Sequence, residues 1–213
     1  MAEALLQEIF RKESPILVNY SFQDMLANVG YVELFGICDE AAAYYFQRLP
    51  LASTDYKVIY SPPGTGLKGE INFDYTFLTS QLVKGNLFLS VTYYARCIAT
   101  QDANCYLKIR VLHYDGSTET VIGAQQTTDT ITETGDVTTK YKRTTLTFAV
   151  NKMFKKGEIL RVEIETYTTL ANNNECGFYF DGANRNFGQV DPVGTSVDST
   201  LLMEVPFDLG GKF

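Results

Sequence analysis

Alternation of apolar and polar residues governs the chain from residue 70 onward. The segment "EINFDYTF" has apolar side chains at every second position, namely Ile71, Phe73, Tyr75 and Phe77. The segments "NLFLSVTYYARC" at 86–97 and "CYLKIRVLH" at 105–113 repeat this period. A period of two turns one side of a strand toward a core and the other toward solvent. The pattern therefore predicts antiparallel sheets packed face to face.

Further strands are predicted on both sides of this region. They lie at 31–38, 146–150, 160–166, 178–180 and 201–207. Turn residues connect them, and no helical pattern lies between them. We therefore predict an all-β fold, an antiparallel β-sandwich of the jelly-roll kind, as one domain over residues 21–213. The Pro- and Gly-rich stretch 39–69 is expected to be an irregular connection inside this domain.

The N-terminus has a different pattern. Residues 3–11, "EALLQEIFR", form one apolar stripe at helical spacing, made of Leu5, Leu6, Ile9 and Phe10. So short a helix is unstable alone and must dock on another surface. Residues 1–20 are therefore predicted to be a helical arm, and the apolar stripe is the candidate docking interface.

Composition and charge reduce the classes of partner that the protein is expected to bind. The formal net charge of −7 and a pI near 4.8 disfavour nucleic acid and anionic membranes as partners. The basic run Lys140–Arg143 is the exception, and we interpret it as a solvated strand face. No secretory signal and no apolar stretch of about 20 residues is present, so we expect neither signal-directed export nor membrane insertion.

The four cysteines, Cys38, Cys97, Cys105 and Cys176, form no C-x-x-C pair. This spacing argues against structural zinc and a redox dithiol, and favours free buried thiols. A hairpin centred on Gln101 would bring Cys97 and Cys105 opposite each other, where a bond is geometrically conceivable.

His113 is the single histidine and lies beside the turn pair Asp115-Gly116. A two-residue hairpin there would place His113 opposite Thr118, and a loop one residue longer would place it opposite Glu119. No G-x-S-x-G or comparable nucleophile motif accompanies it. We interpret His113 as the last inward position of a strand.

Two further stretches suggest chemistry. Glu163 and Glu165 share a strand face and could be the acid and base of a glycosidase, although cross-strand pairing with Lys108 or Arg110 explains them more simply. The oxygen-rich turn Asp181–Asn186 lacks the alternation and closing Glu of a calcium loop. We therefore predict no catalytic residue, no metal and no cofactor.

Aromatic composition suggests carbohydrate binding as a further possibility. The chain has 14 tyrosines and no tryptophan, and tyrosine rings can stack on sugars. The candidate contributors are Tyr44, Tyr45, Tyr93, Tyr94, Tyr106 and Tyr179. Tyrosine is equally suited to protein interfaces, so this pattern leaves both readings open.

Three segments carry a family resemblance: "NYSFQDMLANVGYVELFG" at 19–36, "YDGSTETVIG" at 114–123 and "DSTLLMEVPF" at 198–207. They resemble parts of β-sandwich structural proteins of tailed bacteriophages and environmental viruses. The resemblance implies a non-enzymatic virion component, a capsid decoration or minor capsid protein. It also implies a homo-oligomer that binds capsid proteins and assembles in the host cytoplasm. The alternative is a carbohydrate-binding β-sandwich module for surface adhesion.

Overall fold

The computed structural model of the chain describes residues 29–61, 64–97, 102–134, 139–170, 175–185 and 197–208. Within these ranges all regular elements are strands. They are β1 (Val29–Cys38), β2 (Tyr44–Gln47), β3 (Gly66–Thr76), β4 (Gln81–Arg96), β5 (Ala103–Tyr114), β6 (Glu119–Thr127), β7 (Ile131–Glu133), β8 (Thr139–Phe154), β9 (Ile159–Thr168), β10 (Glu175–Tyr179) and β11 (Leu202–Asp208). The predicted all-β fold is confirmed.

The predicted N-terminal arm lies outside the described residues. This holds for the helix over 3–11 and for its candidate docking residues Leu5, Leu6, Ile9 and Phe10. Among the residues that the structure describes, no helix has the length and apolarity to cross a membrane.

The strands form one hydrogen-bonded path in the order β10-β4-β11-β1-β2-β3-β9-β5-β6, with β8 on β4 and β7 on β5. All described pairings are antiparallel except that of β2 with β3, which meet in parallel at Tyr45 and Asp74. This short parallel contact divides the path into two antiparallel halves. The first half contains β1, β2, β4, β8, β10 and β11, and the second contains β3, β5, β6, β7 and β9.

The two halves pack face to face around an aromatic core. Phe73 of β3 is fully buried, with its ring 6.2 Å from Phe178 of β10 and 5.6 Å from Phe180. Phe77 stacks on Phe154 of β8 at 4.4 Å. Because rings from one half fill the space against the other, the fold is the predicted sandwich.

The first and last described strands are neighbours. β1 pairs with β11 from Val29 opposite Asp208 to Phe35 opposite Leu202. β11 continues the pairing onto β4, so the last strand lies between two earlier ones. The centre of the first half is therefore assembled from both ends of the described chain.

The hairpin between β5 and β6 differs from both predicted registers. His113 lies opposite Thr120, and Tyr114 lies opposite Glu119. The connecting loop is residues 115–118, in which the Asp115 carboxylate accepts hydrogen bonds from the backbone N–H groups of Ser117 (2.9 Å) and Thr118 (2.8 Å). This local side-chain capping closes a longer loop than Asp-Gly alone suggests, so the predicted partners Thr118 and Glu119 are wrong.

All four cysteines are buried free thiols, as predicted. Cys97 donates to the Glu133 carbonyl at 3.4 Å. Cys105 shares a thiol hydrogen bond with Cys176 from the opposite half, and burial raises the pKa of Cys105. The bond between Cys97 and Cys105 that the sequence made conceivable is not formed, because both are free thiols.

Candidate functional site

A short segment along the edge of β10 forms one wall of a cleft. The Val58 N–H donates to the Phe178 carbonyl, and the Tyr60 N–H donates to the Cys176 carbonyl, both at 2.9 Å. This close approach requires Gly177, because a Cβ there would lie 1.9 Å from the Val58 oxygen. The segment 56–60 is thereby held in place, and Lys57 comes to line the cleft.

Strands β4, β8 and β10 supply the floor. Tyr94 of β4 lies between Tyr141 of β8 and Gly177 of β10. Two residues further along, Arg96 lies between Thr139 and Glu175. Positions two apart share one face of a strand, so Tyr94 and Arg96 both point away from the core. The cleft has a volume of about 260 Å³ and is lined by Lys57, Tyr94, Arg96, Thr139, Tyr141, Glu175 and Tyr179.

Tyrosine rings pack against one another beneath and beside this cleft. Tyr179 lies 5.5 Å from Tyr94 and 6.0 Å from Tyr141, measured between ring centroids. Tyr56 stacks on Tyr179 at 6.3 Å with an interplanar angle of 27°. Tyr94 and Tyr179 are each only 2% exposed, whereas Tyr56 and Tyr141 are half-buried. The floor is therefore fixed by packing, and among the lining tyrosines the ring of Tyr141 remains partly accessible.

The buried hydroxyls of this cluster are hydrogen-bond donors at neutral pH. Burial raises the pKa of Tyr94, and the neighbouring Tyr179 raises it further. Burial likewise raises the pKa of Tyr179, with an added effect of Tyr141. The Tyr94 hydroxyl donates to the Val58 carbonyl at 3.1 Å, which ties the floor to the wall.

Charged side chains form the rim. Arg96 Nη1 lies 3.0 Å from Glu175 Oε2, and the Arg96 side chain is 45% exposed. Lys57 Nζ lies 5.4 Å from the ring centroid of Tyr56 and 6.0 Å from that of Tyr94. Aromatic surface next to charge-assisted donors and a carboxylate is the set of groups that holds a small, hydroxyl-rich ligand.

Of the predicted sugar-stacking tyrosines, only Tyr94 and Tyr179 line this cleft. Tyr93 is fully buried in the core, and Tyr44 packs its ring edge-on against Phe73 and Phe180. Tyr106 stacks on Tyr167 on the other half of the sandwich. The six predicted positions therefore do not form one surface.

Sequence reasoning missed Lys57, Arg96, Tyr141 and Glu175 as members of this site. Lys57 lies in the stretch predicted as an irregular connection, where no periodicity indicates which way a side chain points. In the sequence, Tyr141 belongs to the basic run Lys140–Arg143. The alternation of residues in β8 indicates which face of the strand Tyr141 occupies. It does not indicate the neighbouring strand, because the pairing that places Tyr141 beside Tyr94 joins residues far apart in the chain.

His113 occupies a buried strand end, as predicted. Its Nε2 lies 2.8 Å from Glu158 Oε2, and its ring packs edge-on against Phe154 at 5.1 Å. The Lys155 backbone N–H also donates to Glu158 at 2.8 Å. These two donors lower the pKa of Glu158, the backbone one more strongly. Within the described ranges, no hydroxyl or thiol contacts the imidazole as a nucleophile would.

Glu163 and Glu165 lie on the outer face of the second half. Arg110 Nε donates to Glu163 Oε1 at 2.5 Å, and its Nη2 lies 3.3 Å from Glu165 Oε1. The predicted cross-strand pairing with Arg110 is confirmed. Glu70 joins them, and carboxylate oxygens of the three glutamates lie within 4.8 Å of one another. Burial raises the pKa of Glu163, whereas Arg110 opposes this shift.

Two other predicted features serve the fold. The Asp181 carboxylate is fully buried and accepts hydrogen bonds from the backbone N–H groups of Ser53 (3.2 Å) and Arg185 (2.7 Å). In the basic run, Lys142 pairs with Asp129 at 2.5 Å and Arg143 with Asp198 at 3.0 Å. Asn186, the last residue of the oxygen-rich turn, lies outside the described residues.

The chain matches no protein-family model and no curated protein. A CocE/NonD family hydrolase from Staphylococcus aureus is similar in structure, with 14% sequence identity and a TM-score of 0.52. The match covers 88% of this chain and 38% of the hydrolase, so the chain spans well under half of that protein. At this identity the likeness shows the fold alone.

Weaker similarities include a CBM4 carbohydrate-binding module, with 14% identity, a TM-score of 0.30, and coverage of 61% of this chain and 72% of the module. The structure of infectious bursal disease virus Gt strain matches with 11% identity, a TM-score of 0.26, and coverage of 86% and 37%. TM-scores this low carry no argument for either function. The β-sandwich part of the sequence resemblance is supported by the fold, and the bacteriophage family stays a prediction.

The prediction that the protein is not an enzyme is wrong. The structures that match it with TM-scores of 0.52 and 0.50 are both of the staphylococcal hydrolase. The prediction rested on missing catalytic motifs, but a fold does not determine function, and the same architecture can be part of an enzyme. The architecture of this chain is thus one that occurs within a hydrolase.

Proposed function

We propose that the protein is a carbohydrate-binding β-sandwich module and that its ligand lies in the cleft between segment 56–60 and strands β4, β8 and β10. The observation that carries the proposal is the packed tyrosine floor with charged residues at its rim. Tyr141 lines the cleft and is half-buried, and it offers its ring to the CH groups of a sugar. Arg96 and Glu175 supply a donor and an acceptor for hydroxyl groups.

The preformed shape of the cleft favours a ligand-binding role for the tyrosine cluster over a purely structural one. Tyr94 and Tyr179 are locked by neighbouring rings and by the bond from Tyr94 to Val58, so little side-chain entropy is lost when a ligand binds. The volume of about 260 Å³ is small among ligand sites. A single sugar ring is the unit that fits such a space.

The proposal is tested with a glycan array followed by calorimetry on the best ligand. Tyr141→Ala removes one accessible ring, and we expect a loss of affinity of about ten-fold. The matched control is Tyr106→Ala, which removes a half-buried tyrosine from the other half of the sandwich. Binding that withstands Tyr141→Ala, or that falls equally with Tyr106→Ala, would contradict the proposal.

A role in a virus particle stays a prediction from the sequence resemblance. The predicted docking residues of the arm lie outside the described ranges, so the geometry of the sandwich bears on neither capsid binding nor homo-oligomer formation. The expected assembly in a host cytoplasm has the same status. A glycan-binding module on a particle surface would be compatible with both predictions.

A further inference from the structure

The cleft has the opposite charge from the chain around it. Its lining contains the cations Lys57 and Arg96 and one carboxylate, Glu175. The chain as a whole has a formal net charge of −7. An excess of positive charge in the cleft of such a chain is therefore a local feature that composition does not explain.

Lys57 is the first reason to expect an anionic ligand. Its ammonium lies near the rings of Tyr56 and Tyr94, and none of the ion pairs among the described residues includes it. The side chain is half-buried, so part of its hydration is lost without a carboxylate in return. Ring contacts compensate only in part, and an anion in the cleft would complete the pairing.

Arg96 is the second reason. Its ion pair with Glu175 uses Nη1 alone, at 3.0 Å, and the side chain is 45% exposed. A guanidinium has five N–H donors in a fixed plane. Within the described part of the chain, the Nη1–Glu175 bond is the one hydrogen bond of this side chain, which leaves the Nε and Nη2 edge available for a carboxylate or sulfate.

We infer that the cleft binds a sugar with an anionic substituent, a carboxylate or a sulfate, which pairs with Lys57 and Arg96. This inference rests on the proposed function and specifies the ligand class of the same site. The sugar ring lies against Tyr141, and its charged group reaches the two cations. Binding then depends on both ring contact and charge, and it weakens as salt is added.

The experiment compares three probes on the intact chain by calorimetry: trigalacturonic acid, its fully methyl-esterified form, and a sulfated galactose trisaccharide. The ester retains the rings and removes the charges, so it isolates the anionic contribution. We expect the acid or the sulfated sugar to bind about ten-fold more tightly than the ester. Whichever charged probe binds more tightly, the acid or the sulfated sugar, identifies the anionic group that the cleft prefers.

Two substitutions test whether Lys57 and Arg96 cause the preference for the charged probe. Lys57→Gln and Arg96→Gln should each weaken binding of the charged probe more than binding of the ester, so that most of the preference for the charged probe is lost. The matched control is Lys84→Gln, which removes the same charge from an exposed position of the same strand as Arg96, twelve residues away along β4. Two separate cation variants keep the test valid if one of them fails to fold.

The outcomes separate the two proposals. The charged and esterified probes could bind with equal affinity, and Tyr141→Ala could weaken the binding of both. That result would overturn the anionic preference and leave carbohydrate binding in place. A charge preference unaffected by both Lys57→Gln and Arg96→Gln, or lost equally in Lys84→Gln, would also overturn it. Failure of every saccharide to bind would overturn the proposed function together with this inference.

Discussion

Two carboxylates face each other on neighbouring strands at the centre of the first half. Glu33 of β1 lies directly opposite Glu204 of β11. No ion pair of the described residues includes either side chain. Burial raises the pKa of Glu204, and the charge of Glu33 raises it further. Like charges in directly opposed positions destabilise a sheet.

Glu33→Gln is therefore expected to stabilise the protein at pH 7, by about 0.2–1 kcal/mol. Because the pKa of Glu204 in the folded state is above the usual 4.5, stability falls as pH rises from 4.5 through that raised value. The gain from Glu33→Gln should vanish near pH 3, because Glu204, whose pKa is raised, is then protonated and no longer repels a charge at position 33. Urea unfolding at the two pH values measures it, with exposed Glu40→Gln as the control. A gain of equal size at both pH values would refute the charge explanation.

Individual residues of the cleft were only partly accessible to sequence reasoning. Tyr94 and Tyr179 belong to recognisable strands and were among the candidates. Tyr141 and Lys57 were not, because their positions depend on which strands pair and on a close backbone contact. Residue type suggests possible chemistry, whereas the neighbours that make a site are brought together by register.

At the scale of elements, one glycine determines whether segment 56–60 can lie along β10. The added Cβ of an alanine at position 177 would meet the Val58 carbonyl oxygen at 1.9 Å and the Tyr94 ring at 3.2 Å. The first of these neighbours is backbone, which has little freedom to yield. Both the wall and the floor of the cleft would have to shift.

Gly177→Ala is expected to cost about 1–3 kcal/mol of unfolding free energy, as overpacking typically does. It should also weaken ligand binding in the cleft, because Lys57 moves with the wall. Urea unfolding and calorimetry measure the two effects. Gly123→Ala is the control with a milder contact, since its Cβ would lie 3.1 Å from Phe148 Cβ. We expect it to lower the unfolding free energy by less. An equal or larger loss for Gly123→Ala would show that the contact with Val58 is not decisive.

Long strands were predicted best at this scale. The period-two runs around 70–77, 86–97 and 105–113 correspond to β3, β4 and β5. The four-residue β2 and the bridges of Lys57 and Tyr60 to β10 fall in the predicted irregular connection. Such short pairings involve too few residues for alternation to be visible, and hydrogen bonds to distant strands define them.

At the scale of the whole molecule, the two halves depend on a few large rings for their association. Phe73 is fully buried in the second half, and its ring lies within 6.2 Å of Phe178 and Phe180 from the first half. Among the described strands, the backbone pairing that joins the halves is the single parallel contact of Tyr45 with Asp74. Side-chain packing therefore holds the sandwich together far more than the continuous sheet does.

Phe73→Ala is expected to destabilise the protein by about 3–5 kcal/mol, since it opens a cavity between the halves. Thermal and urea unfolding measure the loss. The control is Leu78→Ala, because Leu78 is 69% exposed and should cost less than about 0.5 kcal/mol. Similar losses for both variants would mean that the halves do not rely on the Phe73 contacts.

The overall architecture followed from the pattern, but its topology did not. Alternation in β4, β5 and β9 is enough to predict two apolar faces that must cover each other. The pairing of β1 with β11, and of β8 with β4 along its full length, joins residues far apart in the chain. Several strand orders would bury the same faces, so periodicity alone does not distinguish them.

The register of β1 against β11 has one more consequence. Val29 and Asp208 lie side by side, about 5 Å apart between Cα atoms. The first and last residues of the described sandwich are therefore direct neighbours on adjacent strands. Two ends this close are the geometry that in general allows a domain to be inserted into one surface loop of another protein with little displacement of that loop.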